Sequence, residues 1–188
     1  MRVRPRLTRY LDVMGRGLAA IGMTSTAMTV MGLVVVIAGA ATIGTGRLAL
    51  GAGVVAIGSL LDGLDGAVAR ATNRESAKGA YLDAAFDRLG EVAAFAGLAF
   101  AQAGRPRELL LIVLAVGGAL LVPYFRAKAE AEGKDGKGGL MGRAERLILF
   151  CTGLILFPDQ VEVMLWAFVG LVWLTAFTRF ARTYRSIE

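Results

Sequence analysis

The chain has 188 residues, 56% of them hydrophobic, and 21 Lys and Arg against 15 Asp and Glu give a net charge of +6. That apolar share is above the ~45–50% of ordinary soluble domains and excludes a disordered chain. A single cysteine, Cys151, excludes a disulfide scaffold, and the lack of His excludes zinc sites and catalytic triads built on imidazole.

The pattern predicts an all-α integral membrane protein with one domain over 1–188. Residues 1–20 form an interfacial segment, and residues 26–182 form a six-transmembrane-helix bundle. In the first segment Arg2, Arg4, Arg6, Arg9 and Arg16 accompany Leu7, Tyr10, Leu11 and Met14 on one face. This is the pattern of an N-terminal amphipathic interfacial helix. No signal peptide is expected.

A span needs roughly 20 mostly apolar residues. Residues 17–46 hold no charge, and a first span is predicted over 27–43. Gly32, Ala38, Gly39 and Ala40 there predict close helix contacts. A second span is predicted over 48–69, a third over 82–103 and a fourth over 108–125, bent at Pro123. The fifth, 147–157, is short unless it starts near Ala144, and the sixth is 161–180. With the N-terminus cytoplasmic, only Arg47, Arg105 and Arg107 fall outside, and the other 18 of 21 Lys and Arg fall inside. The positive-inside rule then puts both termini on the cytoplasmic face of the plasma membrane.

Residues 62–87 read DGLDGAVARATNRESAKGAYLDAAFD. Asp62 and Asp65 lie three apart near the end of the second span, and Asp83 and Asp87 lie four apart near the start of the third. On helices both spacings put side chains on one face. The short connection makes the two helices antiparallel neighbours, so four carboxylates converge near the cytoplasmic surface. Unpaired charges there are costly and repel one another. Arg70 and Arg88 compensate in part. Two divalent ions, Mg²⁺ or alternatively Mn²⁺, held by oxygen ligands would do so better. Gly66 allows a phosphate close to the helix backbone, Gly79 admits tight packing or a flat ring, and Arg70 is placed for an anionic oxygen. Glu91, one turn past Asp87, is expected to orient it or to pair with Arg88. A small divalent-cation transporter is the rival reading from another class. Acids confined to one end of the bundle argue against a conduction path.

The spacing Asp62-x2-Asp65-Gly66-x2-Ala69-Arg70-x8-Gly79-x3-Asp83-x3-Asp87 resembles the signature of the CDP-alcohol phosphotransferases. The resemblance implies transfer of a phosphatidyl-type group from a CDP-linked lipid to an alcohol, with release of CMP. It implies metal ligation by Asp62, Asp65, Asp83 and Asp87, with Asp87 as general base. It further implies CDP-diacylglycerol contacts from Thr29, Asp65, Gly66, Arg70 and Gly79, and a homodimer. No nucleic-acid partner is expected.

Beyond the fourth span, Arg126, Lys128, Lys134, Lys137, Arg143 and Arg146 crowd the same side, joined by Arg179 at the matching end of the sixth. Such density suits a phosphorylated acceptor. The stretches from Tyr124 to Glu130 and from Arg143 to Leu147 resemble the bacterial phosphatidylinositol phosphate synthases. In that branch Arg126, Arg143 and Arg179 would bind the phosphate of inositol phosphate. Arg126 stands where the pattern has Lys, and the Pro-Asp pair usual at positions 25 and 26 is Ser25-Thr26. Glycerol 3-phosphate stays open as the acceptor.

Overall fold

The first long helix is started by a cap. In the computed structural model, which describes residues 15–17, 19–20, 22–72, 76–136 and 138–187, Thr24 Oγ1 accepts a hydrogen bond from the Ala27 N–H at 3.1 Å. An N-cap side chain satisfies one of the donors a helix start leaves unpaired. Helix α1, Ser25–Gly44, follows it. Gly46, at φ +85°, then turns the chain directly into α2, Leu48–Asp62, so the two run antiparallel.

Their seam is built from glycine. A Cβ on Gly39 would stand 2.7 Å from the Val55 nitrogen, and one on Gly51 would stand 2.5 Å from that of Ile43. One turn pair closer to the acidic end, Gly32 and Gly58 face each other's carbonyls, at 2.9 and 2.8 Å from a hypothetical Cβ. Without a hydrophobic drive between helices in lipid, such small-residue seams gain their stability from close backbone packing.

The second predicted span is not one continuous helix. It stops at Asp62, passes through a turn at Gly63 and Leu64, and resumes as α3, Asp65–Ala71. The Leu64 N–H reaches back only three residues, to the Leu61 carbonyl, a tightened turn beside Gly63, a residue type that weakens helices. Helix α4, Ala77–Ala101, begins five residues before the position expected, because Ser76 Oγ caps the Gly79 N–H at 3.0 Å. Helix α5, Pro106–Ala131, has proline at its first turn, where a missing N–H is harmless, and continues through Pro123. Helix α6, Arg143–Leu156, has 14 residues, and α7, Val161–Ser186, has 26.

Helix α1 is flanked by α2 and α4; α7 packs on α5 and α6, and α6 also packs on α2. Phe95 of α4 sits at the centre, with Phe150 of α6 and Phe168 of α7 edge to face at 4.9 and 5.1 Å. On the outside, Leu60, Phe100 and Val113 are 70%, 76% and 68% exposed. Large apolar side chains that project outward from every long helix match a lipid surround.

Among the described residues four helical stretches are long and apolar enough to cross a membrane: Ser25–Gly44, Leu48–Ala71, Pro106–Ala131 and Val161–Ser186. Helix α4 carries Lys78, Asp83, Asp87, Arg88 and Glu91, and α6 is too short, so neither meets that measure. The interfacial helix expected over 1–20 lies largely outside the described residues. Residues 15–17 are helical, and Gly15 is buried against Ala67 of α3.

The seam gives a direct test. Gly39→Ala should destabilise the protein by about 1–3 kcal/mol through overpacking against rigid backbone. Gly53→Ala, whose added methyl meets nothing within 4 Å, should be neutral or stabilising. Thermal unfolding in detergent compares the two, and equal melting temperatures would contradict the seam.

Candidate active site

Four helices meet at the site. Asp62 is the last residue of α2, Asp65 the first of α3, Asp83 and Asp87 lie in the first half of α4, and Arg143 begins α6. One carboxylate oxygen each from Asp62, Asp83 and Asp87 lies within 4.8 Å of the others. Asp62 is buried, and the other two are half-buried. Arg143 Nη2 bridges the group, 2.7 Å from Asp62 Oδ2 and 2.5 Å from Asp87 Oδ1, while Arg88 Nη1 lies 3.2 Å from Asp87 Oδ2.

These cations do not satisfy the cluster. Asp62 Oδ1 and Asp87 Oδ1 are buried and accept no hydrogen bond. The approach of Arg143 to Asp87 Oδ1 is therefore an ionic contact without hydrogen-bond geometry. Buried carboxylate oxygens left unpaired are expensive. Three convergent carboxylates, two of them with a buried oxygen that accepts no hydrogen bond, are a donor set suited to a hard divalent cation.

Asp65 departs from the expected group of four. Its Oδ1 accepts the Gly66 N–H of its own helix, and its Oδ2 accepts the hydroxyl of Thr29 at 2.8 Å. Thr29 is buried on α1 and shares its hydroxyl hydrogen with the Ser25 carbonyl at 3.0 Å. Thr29 thus reaches the site through Asp65. The turn at Gly63 and Leu64 separates the directions of the two aspartates, which a continuous helix would have put on one face.

The acids border two pockets. One, with about 680 Å³ of open space, is lined by Ser25, Asp65, Gly66, Ala69, Ser76, Gly79, Ala80 and Asp83. Its glycines keep it wide: a Cβ on Gly66 would meet only Arg70 Nη1, at 3.5 Å, and one on Gly79 only Ser76 Oγ, at 3.2 Å. Gly66, Gly79 and Asp65 are therefore brought together as expected, and Arg70 lies at the same rim. The other pocket, about 590 Å³, runs inward from Asp62, Asp87 and Arg143 past Glu91 and Arg146 towards Phe95, Phe150 and Phe168.

The three arginines expected at one acceptor phosphate have separate partners. Arg143 lies against Asp62 and Asp87. Arg126 pairs with Glu130 at 2.8 Å along α5. Arg179 donates from Nε to the Gly138 carbonyl at 2.8 Å and from Nη1 to the Val122 carbonyl at 2.9 Å. Glu91 pairs with neither Asp87 nor Arg88. It is held by Arg146 at 2.6 and 2.9 Å, a part-buried pair spanning 55 residues that no local spacing announces.

Comparisons with known proteins place the chain in a family. The family model for CDP-alcohol phosphatidyltransferase matches residues 22–179. The chain is 37% identical over 174 residues to the phosphatidylinositol phosphate synthase of Mycobacterium marinum, covering 87% of this chain and 74% of that protein. The crystal structure of the Mycobacterium tuberculosis phosphatidylinositol phosphate synthase with CDP-DAG bound matches with a TM-score of 0.86 and 32% identity, over 94% of each chain. The same enzyme in complex with manganese and citrate matches at 0.85 and 31% identity, over 93% of this chain and 88% of that one. With its aspartate signature folded into a convergent acidic site and 158 consecutive residues within the family model, the chain is a transferase and belongs to the CDP-alcohol phosphatidyltransferase family.

Proposed function

We propose that the protein transfers a phosphatidyl group from CDP-diacylglycerol to a hydroxyl of inositol phosphate, releasing CMP and forming phosphatidylinositol phosphate. The observation that carries this reading is the gathering of Asp62, Asp83, Asp87 and Arg143 at one point, where acids and a phosphate-binding residue type meet. It is supported by relatives named phosphatidylinositol phosphate synthase and by a structural neighbour solved with CDP-DAG.

In this reading the pyrophosphate of the CDP-lipid lies in the glycine-floored pocket, near Gly66, Gly79 and Arg70. Asp62, Asp65, Asp83 and Asp87 would hold two divalent ions, Mg²⁺ or Mn²⁺. Bound there, they would neutralise the pyrophosphate and stabilise the CMP leaving group. The chain's own residues do the rest. Thr29 fixes Asp65 by its hydrogen bond. Asp87, set against Arg143 and Arg88, takes the proton of the acceptor hydroxyl as general base. The hydroxyl oxygen forms a new bond to the lipid-bearing phosphorus as the bond from that phosphorus to CMP breaks, and CMP leaves with the electron pair. Arg143 orients the acceptor through its phosphate, with Arg126 and Arg179 contributing positive charge from α5 and α7.

The membrane setting belongs to the same proposal. Helices α4 and α6 complete six crossings with the four apolar stretches, and the acid-bearing ends face the cytoplasm of a plasma-membrane homodimer. The excess of Lys and Arg on that side supports the orientation.

An acceptor panel tests the reaction. With purified enzyme and CDP-diacylglycerol, CMP release should need inositol phosphate, fail with free inositol or glycerol 3-phosphate, stop in EDTA and return with Mg²⁺ or Mn²⁺. Release driven equally by glycerol 3-phosphate would point to phosphatidylglycerophosphate synthesis instead. Asp87→Asn should lower turnover by about 10²–10⁴-fold while CDP-diacylglycerol binding persists; a wild-type rate would remove Asp87 as the base. Arg143→Ala should raise the acceptor KM by roughly ten- to a hundredfold through loss of a charge-assisted bond, and the CDP-diacylglycerol KM much less. Equal rises in both would undercut the acceptor assignment.

A further inference from the structure

Asp87, Glu91 and Phe95 recur at one-turn intervals along α4, and Arg143, Arg146 and Phe150 do so along α6. Each meets its counterpart. Arg143 reaches Asp87, Arg146 grips Glu91, and the two rings pack edge to face at 4.9 Å. The three rungs descend from the open acidic end into the aromatic core.

The middle rung is held on every side. Arg146 is 3% exposed, and its Nε and Nη2 donate to the two oxygens of Glu91 at 2.6 and 2.9 Å. Its Nη1 donates to the Met141 carbonyl at 3.3 Å, and the Met141 N–H in turn donates to Thr175 Oγ1 of α7 at 3.1 Å. One guanidinium thus ties α4, the residue two before α6, and, through it, α7. Arg143 is the first residue of α6 and its side chain is 40% exposed. Where its guanidinium stands depends on how the first turn of α6 is anchored, and Arg146, in that same turn, is the anchor.

We propose that Glu91 and Arg146 are positioning residues for the transfer reaction, holding the first turn of α6 so that Arg143 meets the acceptor phosphate beside Asp87. The proposal rests on the reading of Arg143 as the acceptor contact. A bidentate fork fixes an angle as well as a distance. Apolar side chains of similar volume fill the same space without fixing that angle, and often with no loss of stability. That difference separates a positioning role from a merely structural one.

The test uses the full-length enzyme in lipid nanodiscs with CDP-diacylglycerol and inositol phosphate. It compares Glu91→Gln, Glu91→Asp and the double variant Glu91→Leu with Arg146→Met against Arg143→Ala. Melting temperature and the KM of each substrate are measured. Both single Glu91 variants should raise the acceptor KM by about ten- to a hundredfold, the scale of a misplacement near 1 Å, and leave the CDP-diacylglycerol KM close to wild type. The double variant should regain the wild-type melting temperature but keep the raised acceptor KM. A double variant normal in both makes the pair structural and overturns the proposal. Where the double variant does not fold, Glu91→Asp decides: a wild-type acceptor KM overturns the proposal, and a raised one at an unchanged melting temperature upholds it. An Arg143→Ala variant with a normal acceptor KM sinks the acceptor reading and this proposal together. A raised KM there with a normal one in Glu91→Gln sinks this proposal alone.

Discussion

Negative charge concentrated at the edge of an apolar bundle is the constraint that shapes this protein. Two like charges 4 Å apart repel by about 4 kcal/mol at an effective dielectric of 20. Three carboxylates here offer oxygens within 4.8 Å of one another. The fold gathers them at one end of the bundle and brings Arg143 from α6 and Arg88 from α4 against them. Two oxygens still have no hydrogen bond. A site in which the available protein cations are already engaged and acceptor capacity remains is built for additional positive charge.

The glycine seam and the acidic site are one structure. The same close approach that brings Gly39 onto Val55 continues towards the acids, where a Cβ on Gly32 would lie 2.8 Å from the Asp62 Cβ and 3.0 Å from its nitrogen. Helix α1 therefore forms the wall against which Asp62 is set. Three residues earlier on the same helix, Thr29 holds Asp65. Packing of α1 against α2 and α3 thus fixes two of the four aspartates, and the turn at Gly63 and Leu64 lets them serve different pockets. Asp83 stands at the boundary, clustering with Asp62 and Asp87 while lining the pocket of Asp65.

Apolar runs located every long helix in the sequence, because exclusion from water is a local property of composition. Helix ends were less legible where capping governed them. Ser76 starts α4 at residue 77, yet hydropathy turns apolar only near residue 82. Likewise α6 starts with the charged pair Arg143 and Glu145, and α5 carries Arg126, Lys128 and Glu130 beyond Pro123. The aspartates were legible by spacing, since i+3 and i+4 neighbours share a helix face. The separation of Asp65 from Asp62 was not, because Gly63 weakens a helix without dictating a break there. The partner of Glu91 was likewise hidden. Arg88 is its neighbour in sequence, and Arg146 is its neighbour only once the fold brings the side chains of α6 to face those of α4.

The arginines near the site differ in what their charge is committed to, and this bears on how an anionic acceptor would be held. Arg143 is matched to carboxylates, so its charge is partly cancelled where it stands. Arg179 gives hydrogen bonds to the carbonyls of Gly138 and Val122. A guanidinium bonded to neutral oxygens keeps its charge while losing its freedom to move. Gly138 and Gly139, at φ +118° and +92°, bring the loop back over α7, where a Cβ on Gly139 would overlap Thr175. The loop therefore fixes Arg179 in direction. An acceptor phosphate in this region would meet a preset positive potential from Arg179 and a contact from Arg143 whose strength depends on how fully the neighbouring carboxylates are neutralised. In the proposed reaction the acceptor's affinity would then be coupled to the occupant of the acidic cluster, because both would draw on the same guanidinium.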